Sequence, residues 1–316
     1  MRKSNILFVD DEERILRSLS ILFRTNPEYE VHTATHGNAA LDIVRQHRID
    51  VVVSDQRMPQ ITGVELLGKI KELSPNTMRI LLTGYADLNA IVSSINEGEV
   101  FRYITKPWTN TELKETVKKA ASIANQLFAA EKLPKVGRDS SADTKNKDGI
   151  MLLMPNQDKQ DLSLVVEKLF EGLYPIYTAN SMDAALDTLT EQSIAAIVAD
   201  LANDHDENIA LLKLLKREYP LALTIALTNA ADADTAISLI NEGQVYRYLP
   251  KPVAPGLLRV ALTSALKYYQ LCQSKPEQLM RHQVENSKQA TEVSANSSFL
   301  SKISALRKRM RSMLSH

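Results

Sequence analysis

Short apolar runs alternate with helix-spaced apolar positions along the first 130 residues. Residues 6–9 are continuously apolar, and Asp10-Asp11-Glu12-Glu13 follows them. Ile15, Leu16, Leu19, Leu22 and Phe23 then recur at the spacing of an amphipathic helix. That pattern predicts a buried strand and a helix with acids at the end its dipole favours. The same reading predicts strands at 31–34, 49–54, 79–83 and 100–105. It predicts helices over 39–46, 64–73, 88–95 and 113–130. Five strands alternating with five helices require a parallel sheet covered on both faces.

Residues 132–148 are polar and without period, the pattern of a linker. After them the first pattern returns. Adding 145 to a residue number aligns the two halves without a gap, so that Asp55 falls on Asp200, Pro75 on Pro220 and Thr83 on Thr228. Lys106-Pro107 falls on Lys251-Pro252, and the segment 95–103 faces 240–248 with two differences. The chain reads as a tandem duplication. Its organisation is a first domain over 1–130, a linker over 131–148, a second domain over 149–271 and a tail over 272–316. Within the tail, Phe299, Ile303, Leu306, Met310 and Met313 are spaced as a short amphipathic helix, with Lys302, Arg307, Lys308, Arg309 and Arg311 between them. Residues 294–298, just before it, are small and polar, and are expected to be disordered.

The 316 residues carry 38 basic and 38 acidic side chains, but the balance is uneven. Residues 150–270 hold 9 basic and 15 acidic groups, whereas 271–316 hold 8 and 3. Neither excess is large enough to suggest a general nucleic-acid-binding surface on the folded part. One cysteine, Cys272, excludes a disulfide framework and suits a reducing compartment. No stretch approaches the roughly 20 apolar residues of a membrane span, and no signal peptide is read at the start. A cytoplasmic location is expected. The six histidines (32, 36, 47, 205, 282, 316) show no metal-ligand spacing and read as surface residues.

Candidate chemistry collects where strands end. Asp10 and Asp11 follow the first strand, Asp55 ends the third, Thr83 ends the fourth and Lys106 follows the fifth. In an open α/β sheet these positions share one rim. Three crowded carboxylates call for a cation, and hard oxygen donors at that density suit Mg²⁺. Lysine opposite them can hold a phosphoryl oxygen as a point charge. An aspartate nucleophile with Mg²⁺ and lysine is what formation of an aspartyl phosphate requires.

At these residues the chain resembles the response-regulator receiver domain of two-component signalling. The matching pieces are Asp10-Asp11-Glu12, Asp55 with Met58-Pro59 and Gly63, Thr83, and Lys106-Pro107, within 4–127. The resemblance implies two doubly wound, five-stranded parallel, flavodoxin-like domains with a partly helical tail. It implies that Asp55 accepts a phosphoryl group from a histidine kinase or phosphotransfer protein. Mg²⁺ would be held by Asp10, Asp11, Asp55 and the backbone carbonyl of Arg57. Lys106 would pair with the phosphoryl group, Thr83 would turn toward it, and Tyr103 would be the aromatic switch. The Lys106–Pro107 bond would be cis. Leu82 to Asp87 (Leu-Thr-Gly-Tyr-Ala-Asp) and Lys106-Pro107-Trp108 further resemble receivers that precede HD-GYP-type outputs.

The second copy keeps Asp200, Thr228, Lys251 and Tyr248. By the offset of 145 it has Pro155 and Asn156 where the first has Asp10 and Asp11, so it resembles a degenerate pseudo-receiver. In its loop 202–207, Asp204 or Asp206 is the alternative source of carboxylates, and a lasting Asp200–Lys251 ion pair is the other outcome. The expected function is a phosphorylation-controlled regulator whose output is binding through the pseudo-receiver and tail, without a separate catalytic domain. Its partners would be the kinase and a downstream protein, with a homodimer as an open option. Nucleic acid is not an expected partner. Two alternatives are regulation of a separate cyclic-di-GMP enzyme and DNA binding by the basic tail.

Overall fold

The computed structural model describes residues 2–84, 100–131, 148–154, 159–170, 172–201, 212, 214–217, 219–228, 237, 241, 245–275 and 278. The expected helix at 88–95, the linker 132–147, the loop 202–207 and the tail segments 294–298 and 299–313 lie outside them. By compactness the chain divides into two units, residues 1–135 with 232–241, and 136–231 with 242–316.

In the first unit the strands are β1 (Ser4–Val9), β2 (Tyr29–Ala34), β3 (Val51–Asp55), β4 (Met78–Thr83) and β5 (Arg102–Thr105). The helices are α1 (Glu13–Arg24), α2 (Gly37–Gln46), α3 (Gly63–Leu73) and α4 (Asn110–Glu131). All strands are parallel in the order β2-β1-β3-β4-β5, the flavodoxin-like arrangement expected. Alternation along the strands builds the core. Ile6 and Phe8, Val51 and Val53, and Ile80 and Leu82 turn to one face and pack with Leu16, Leu19 and Phe23 of α1 and Leu113, Val117 and Leu127 of α4. Each such large side chain contributes about 1.5–3 kcal/mol on burial. Leu7, Val52 and Leu81, also buried, belong to the opposite face, against which α2 and α3 pack.

Local chemistry fixes the helix starts. Thr62 and Glu65 form a capping box on α3, the Thr62 hydroxyl accepting from Glu65 N–H at 3.3 Å and the Glu65 carboxylate accepting from Thr62 N–H at 2.8 Å. His36 caps α2 through Nδ1, which accepts from Ala39 N–H. The histidines are therefore not all free surface groups: His32 is half-buried, its ring 5.2 Å from that of His47, and burial lowers its pKa.

The second unit repeats the sheet with β6 (Gly149–Leu153), β7 (Ile176–Ala179), β8 (Ile194–Leu201), β9 (Leu223–Thr228) and β10 (Arg247–Pro250). The order β10-β9-β8-β6-β7 is the first order read from the other edge. Its helices include α5 (Lys159–Phe170), α6 (Met182–Glu191) and α7 (Pro255–Ser274), and Cys272 is buried.

Here the gapless offset of 145 needs correction. Val51 pairs with Met78 and Ala196 with Leu223, in keeping with it. In β1, however, Ile6 pairs with Val31 and Val51, whereas in β6 Ile150 pairs with Ile176 and Ala196. Thus β6 is slid by one residue, with a register irregularity between Gly149 and Ile150. Ala34 O accepts from Asp10 N–H in the first sheet, and the equivalent Ala179 O accepts from Met154 N–H in the second. The place of Asp10 is taken by Met154 and not by Pro155; Pro155, which lies outside the described residues, follows it in sequence as Asp11 follows Asp10. Both replacements still lack a carboxylate.

Candidate functional site

The carboxyl ends of β1, β3 and β5 bring Asp10, Asp55 and Lys106 together. Lys106 Nζ lies 2.5 Å from Asp55 Oδ1 and 3.1 Å from Asp10 Oδ2, bridging the two carboxylates. Each aspartate also holds the loop that follows it. Asp10 Oδ1 accepts from Glu12 N–H and Asp55 Oδ2 from Arg57 N–H, both at 2.9 Å. Asp10 is 1 % exposed and Asp55 6 %, so the charge is withdrawn from water with one oxygen of each directed to the same cation. Burial pushes the Asp10 carboxyl above its ordinary range, against the opposing effects of the Glu12 N–H and Lys106. Burial also pulls the Lys106 ammonium down, but Asp55 and Asp10 together outweigh it and hold the pKa above the ordinary lysine value.

The other expected site residues stand farther back. Asp11 is exposed on the rim, and no group of three or more acids, histidines or cysteines is gathered for a metal among the described residues. Thr83 is fully buried with its hydroxyl donating to Gly84 O at 3.2 Å, while its own carbonyl accepts from Lys106 N–H at 2.8 Å. Tyr103 is 1 % exposed and belongs to the core. The Lys106–Pro107 bond is cis, as the resemblance implied, and so is Lys251–Pro252.

Two supporting residues carried no assigned role in the sequence reading. Gln56 is buried; its Oε1 accepts from Val64 N–H at 3.2 Å and its carbonyl accepts from Gly63 N–H, so it ties the start of α3 to the end of β3. A signal was available, because the second copy has Leu201 at that position. Gly63 allows a close approach: a Cβ there would lie 2.1 Å from the carbonyl oxygen of Asp55. The second copy carries Asn208 at the corresponding position of the sequence, which lies outside the described residues.

The donor set accommodates Mg²⁺. It is all hard oxygen, and the two buried carboxylates already share one cationic group. Mg²⁺ commonly binds through one or two carboxylates and keeps several waters, so it does not need a closed cage of three acids. In the second copy Lys251 Nζ donates to Asp200 Oδ1, but the place of Asp10 is filled by buried, apolar Met154. Asp200 is also more open than Asp55, with 23 % of its side chain exposed against 9 %.

Residues 6–118 match the family described as the response regulator receiver domain. Among curated proteins, the sporulation initiation phosphotransferase F of Bacillus subtilis is 34% identical over 119 residues, which are 38% of this chain and 94% of that protein. The hydrogenase transcriptional regulatory protein HoxA of Cupriavidus necator is 37% identical over 120 residues, 38% of this chain. The match covers 24% of HoxA, about a quarter of its length. A solved signal receiver domain of an HD domain-containing protein from Pseudomonas fluorescens is 40% identical with a TM-score of 0.38, covering 39% of this chain and 98% of that one.

Proposed function

Since the chain belongs to the response regulator receiver family, we propose that Asp55 is the phosphoacceptor of its first copy and that the second copy is a pseudo-receiver. The observation that carries this reading is the bridge from Lys106 to Asp10 and Asp55 at the shared rim. A phosphorylated histidine of a kinase or phosphotransfer protein is the donor. A carboxylate oxygen of Asp55 attacks phosphorus as the phosphorus–nitrogen bond breaks, giving an acyl phosphate and returning the electron pair to the imidazole. Lys106 then transfers its contact from the Asp55 carboxylate to a phosphoryl oxygen. Thr83 exchanges its bond to Gly84 O for a second one, and the space it leaves lets Tyr103 repack.

Asp10, Asp11, Asp55 and the Arg57 carbonyl are the oxygen donors for Mg²⁺. When bound, it offsets the charge that gathers on the transferring group. The reaction is electrostatic positioning in the main, so loss of the Asp10 carboxylate removes much of the catalysis. Met154 and Pro155 impose that loss on the second copy. A binding output through the second copy and tail completes the reading.

Acetyl phosphate with Mg²⁺, followed by intact mass, tests it. The chain should gain one phosphoryl group, and neither EDTA-treated protein nor Asp55→Asn should gain any. Equal incorporation into Asp55→Asn would overturn the assignment.

A further inference from the structure

Between β3 and α3 the chain runs through residues 56–62, and this loop is held at both ends. Gln56 O accepts from Gly63 N–H at 3.0 Å, and Asp55 Oδ2 accepts from Arg57 N–H at 2.9 Å. Its middle is a three-residue turn in which Ile61 N–H donates to Pro59 O at 2.9 Å. The turn places Gln60 at φ 73, in the left-handed region that residues with a side chain seldom enter. Pro59 and Gln60 face solvent, whereas the turn sends Ile61 inward, where it is half-buried.

Ile61 ends on Gly37, the first residue of α2. A Cβ added at Gly37 would stand 2.3 Å from Ile61 Cγ2, too close unless one of the two moves. Glycine is what lets the Ile61 methyl group lie on the helix backbone. The seat is itself fixed, because His36 caps α2 just before Gly37 and α2 packs on α3, where the loop ends. By sequence the second copy has Met182 and Asp206 at these two positions, the latter outside the described residues. We propose that Gly37 and Ile61 are positioning residues for Mg²⁺ beside Asp55, their contact setting the loop that carries the Arg57 carbonyl. Neither residue is a donor to the cation. A strained turn persists only where its surroundings hold it, and Ile61 seated on Gly37 holds this one, four residues after Arg57. The inference rests on the reading of Asp55 as a phosphoacceptor served by Mg²⁺, and adds which residues keep the donor loop in place.

Mg²⁺ titration of the full chain, followed by NMR through the amide shifts of Glu12 and Arg57, tests this without phosphoryl transfer. Gly37→Ala should weaken Mg²⁺ binding at least fivefold. Ile61→Leu moves the branch away from Cβ and so removes Cγ2; alone it should bind within twofold of wild type. Combined with Gly37→Ala it should restore binding to within twofold as well. Equal affinity in Gly37→Ala and wild type overturns the proposal, and so does a loss that Ile61→Leu fails to repair. Gln60→Pro reaches the same loop at an exposed position, and proline cannot take φ 73. It too should weaken binding at least fivefold, and unchanged affinity there overturns the proposal even where Gly37→Ala does not fold. A wild-type chain that binds Mg²⁺ yet takes no phosphoryl group from acetyl phosphate would refute the phosphoacceptor reading and leave the seat standing. One that binds no Mg²⁺ overturns the positioning role itself.

Discussion

Asp10 and Asp55 are both withdrawn from solvent, and two carboxylates so placed repel unless a cation stands between them. Lys106 provides that cation, while the N–H groups of Glu12 and Arg57 take the remaining oxygens. The site depends equally on two residues that touch no substrate. Gly63→Ala would set a Cβ 2.1 Å from the Asp55 carbonyl oxygen, so either α3 or the end of β3 must shift. Such overpacking costs about 1–3 kcal/mol. Gly63→Ala should also slow phosphorylation by acetyl phosphate at least tenfold at temperatures where circular dichroism shows it folded. Gln56→Leu, which copies Leu201, leaves the Val64 N–H without its acceptor and should lower unfolding free energy by about 1 kcal/mol in urea titration. The acids and lysine were legible in the sequence because each ends or follows a strand. Gln56 was legible only by comparison with Leu201 of the second copy, because a polar residue after a strand gives no sign by itself of whether it turns inward.

Among the elements, the strands were legible as short apolar runs, because a strand buried on both faces needs no polar alternation; Ile6, Phe8, Val51, Val53, Ile80 and Leu82 turn to one of those faces. The slide of β6 was missed because a five-residue apolar run fits its neighbours almost equally well in either register. A second exchange was also hidden. In the first copy Arg79 of β4 donates to the carbonyls of Thr77 at 2.7 Å and Pro75 at 3.4 Å. Its counterpart is Thr224, and the equivalent carbonyls of Ala222 and Pro220 instead accept from Lys216 at 3.3 Å and 2.8 Å. The same two acceptors keep a cation, delivered from the helical turn 214–217 in place of the strand.

Burial lowers the Lys216 pKa to about 8. A lysine depressed on folding is most favourable above its unfolded value near 10.5, and it withdraws stability as pH falls through about 8. Between these limits the unfolded chain holds one more proton than the folded one. Unfolding free energy should therefore rise by about 1.4 kcal/mol per pH unit more in wild type than in Lys216→Met. Guanidinium titrations of the two proteins from pH 8 to 10.5 measure the difference directly. Parallel pH profiles would show that Lys216 is not buried as a cation.

For the whole molecule, the same strand order recurs in both units, while buried Met154 stands in the second where Asp10 stands in the first. The fold survived in both because the strand cores did, whereas the chemistry depends on a few positions at one rim. Of the described helices none is long and apolar enough to cross a membrane. HoxA, by its name a transcriptional regulator, is matched over 24% of its length. The tail of this chain carries the basic residues that we propose as part of a binding output. If it folds back on the acidic second copy, truncation at residue 298 should raise amide exchange in α6 and α7; unchanged exchange there would remove that reading.

Borohydride reduction converts an aspartyl phosphate to homoserine, so the acceptor can be located by peptide mass spectrometry. The measurement is made on the full chain after acetyl phosphate and Mg²⁺, with Asp55 and Asp200 in the same molecule under the same conditions. Homoserine should appear at position 55 and be absent at position 200. Homoserine at 200 with none at 55 would contradict the account.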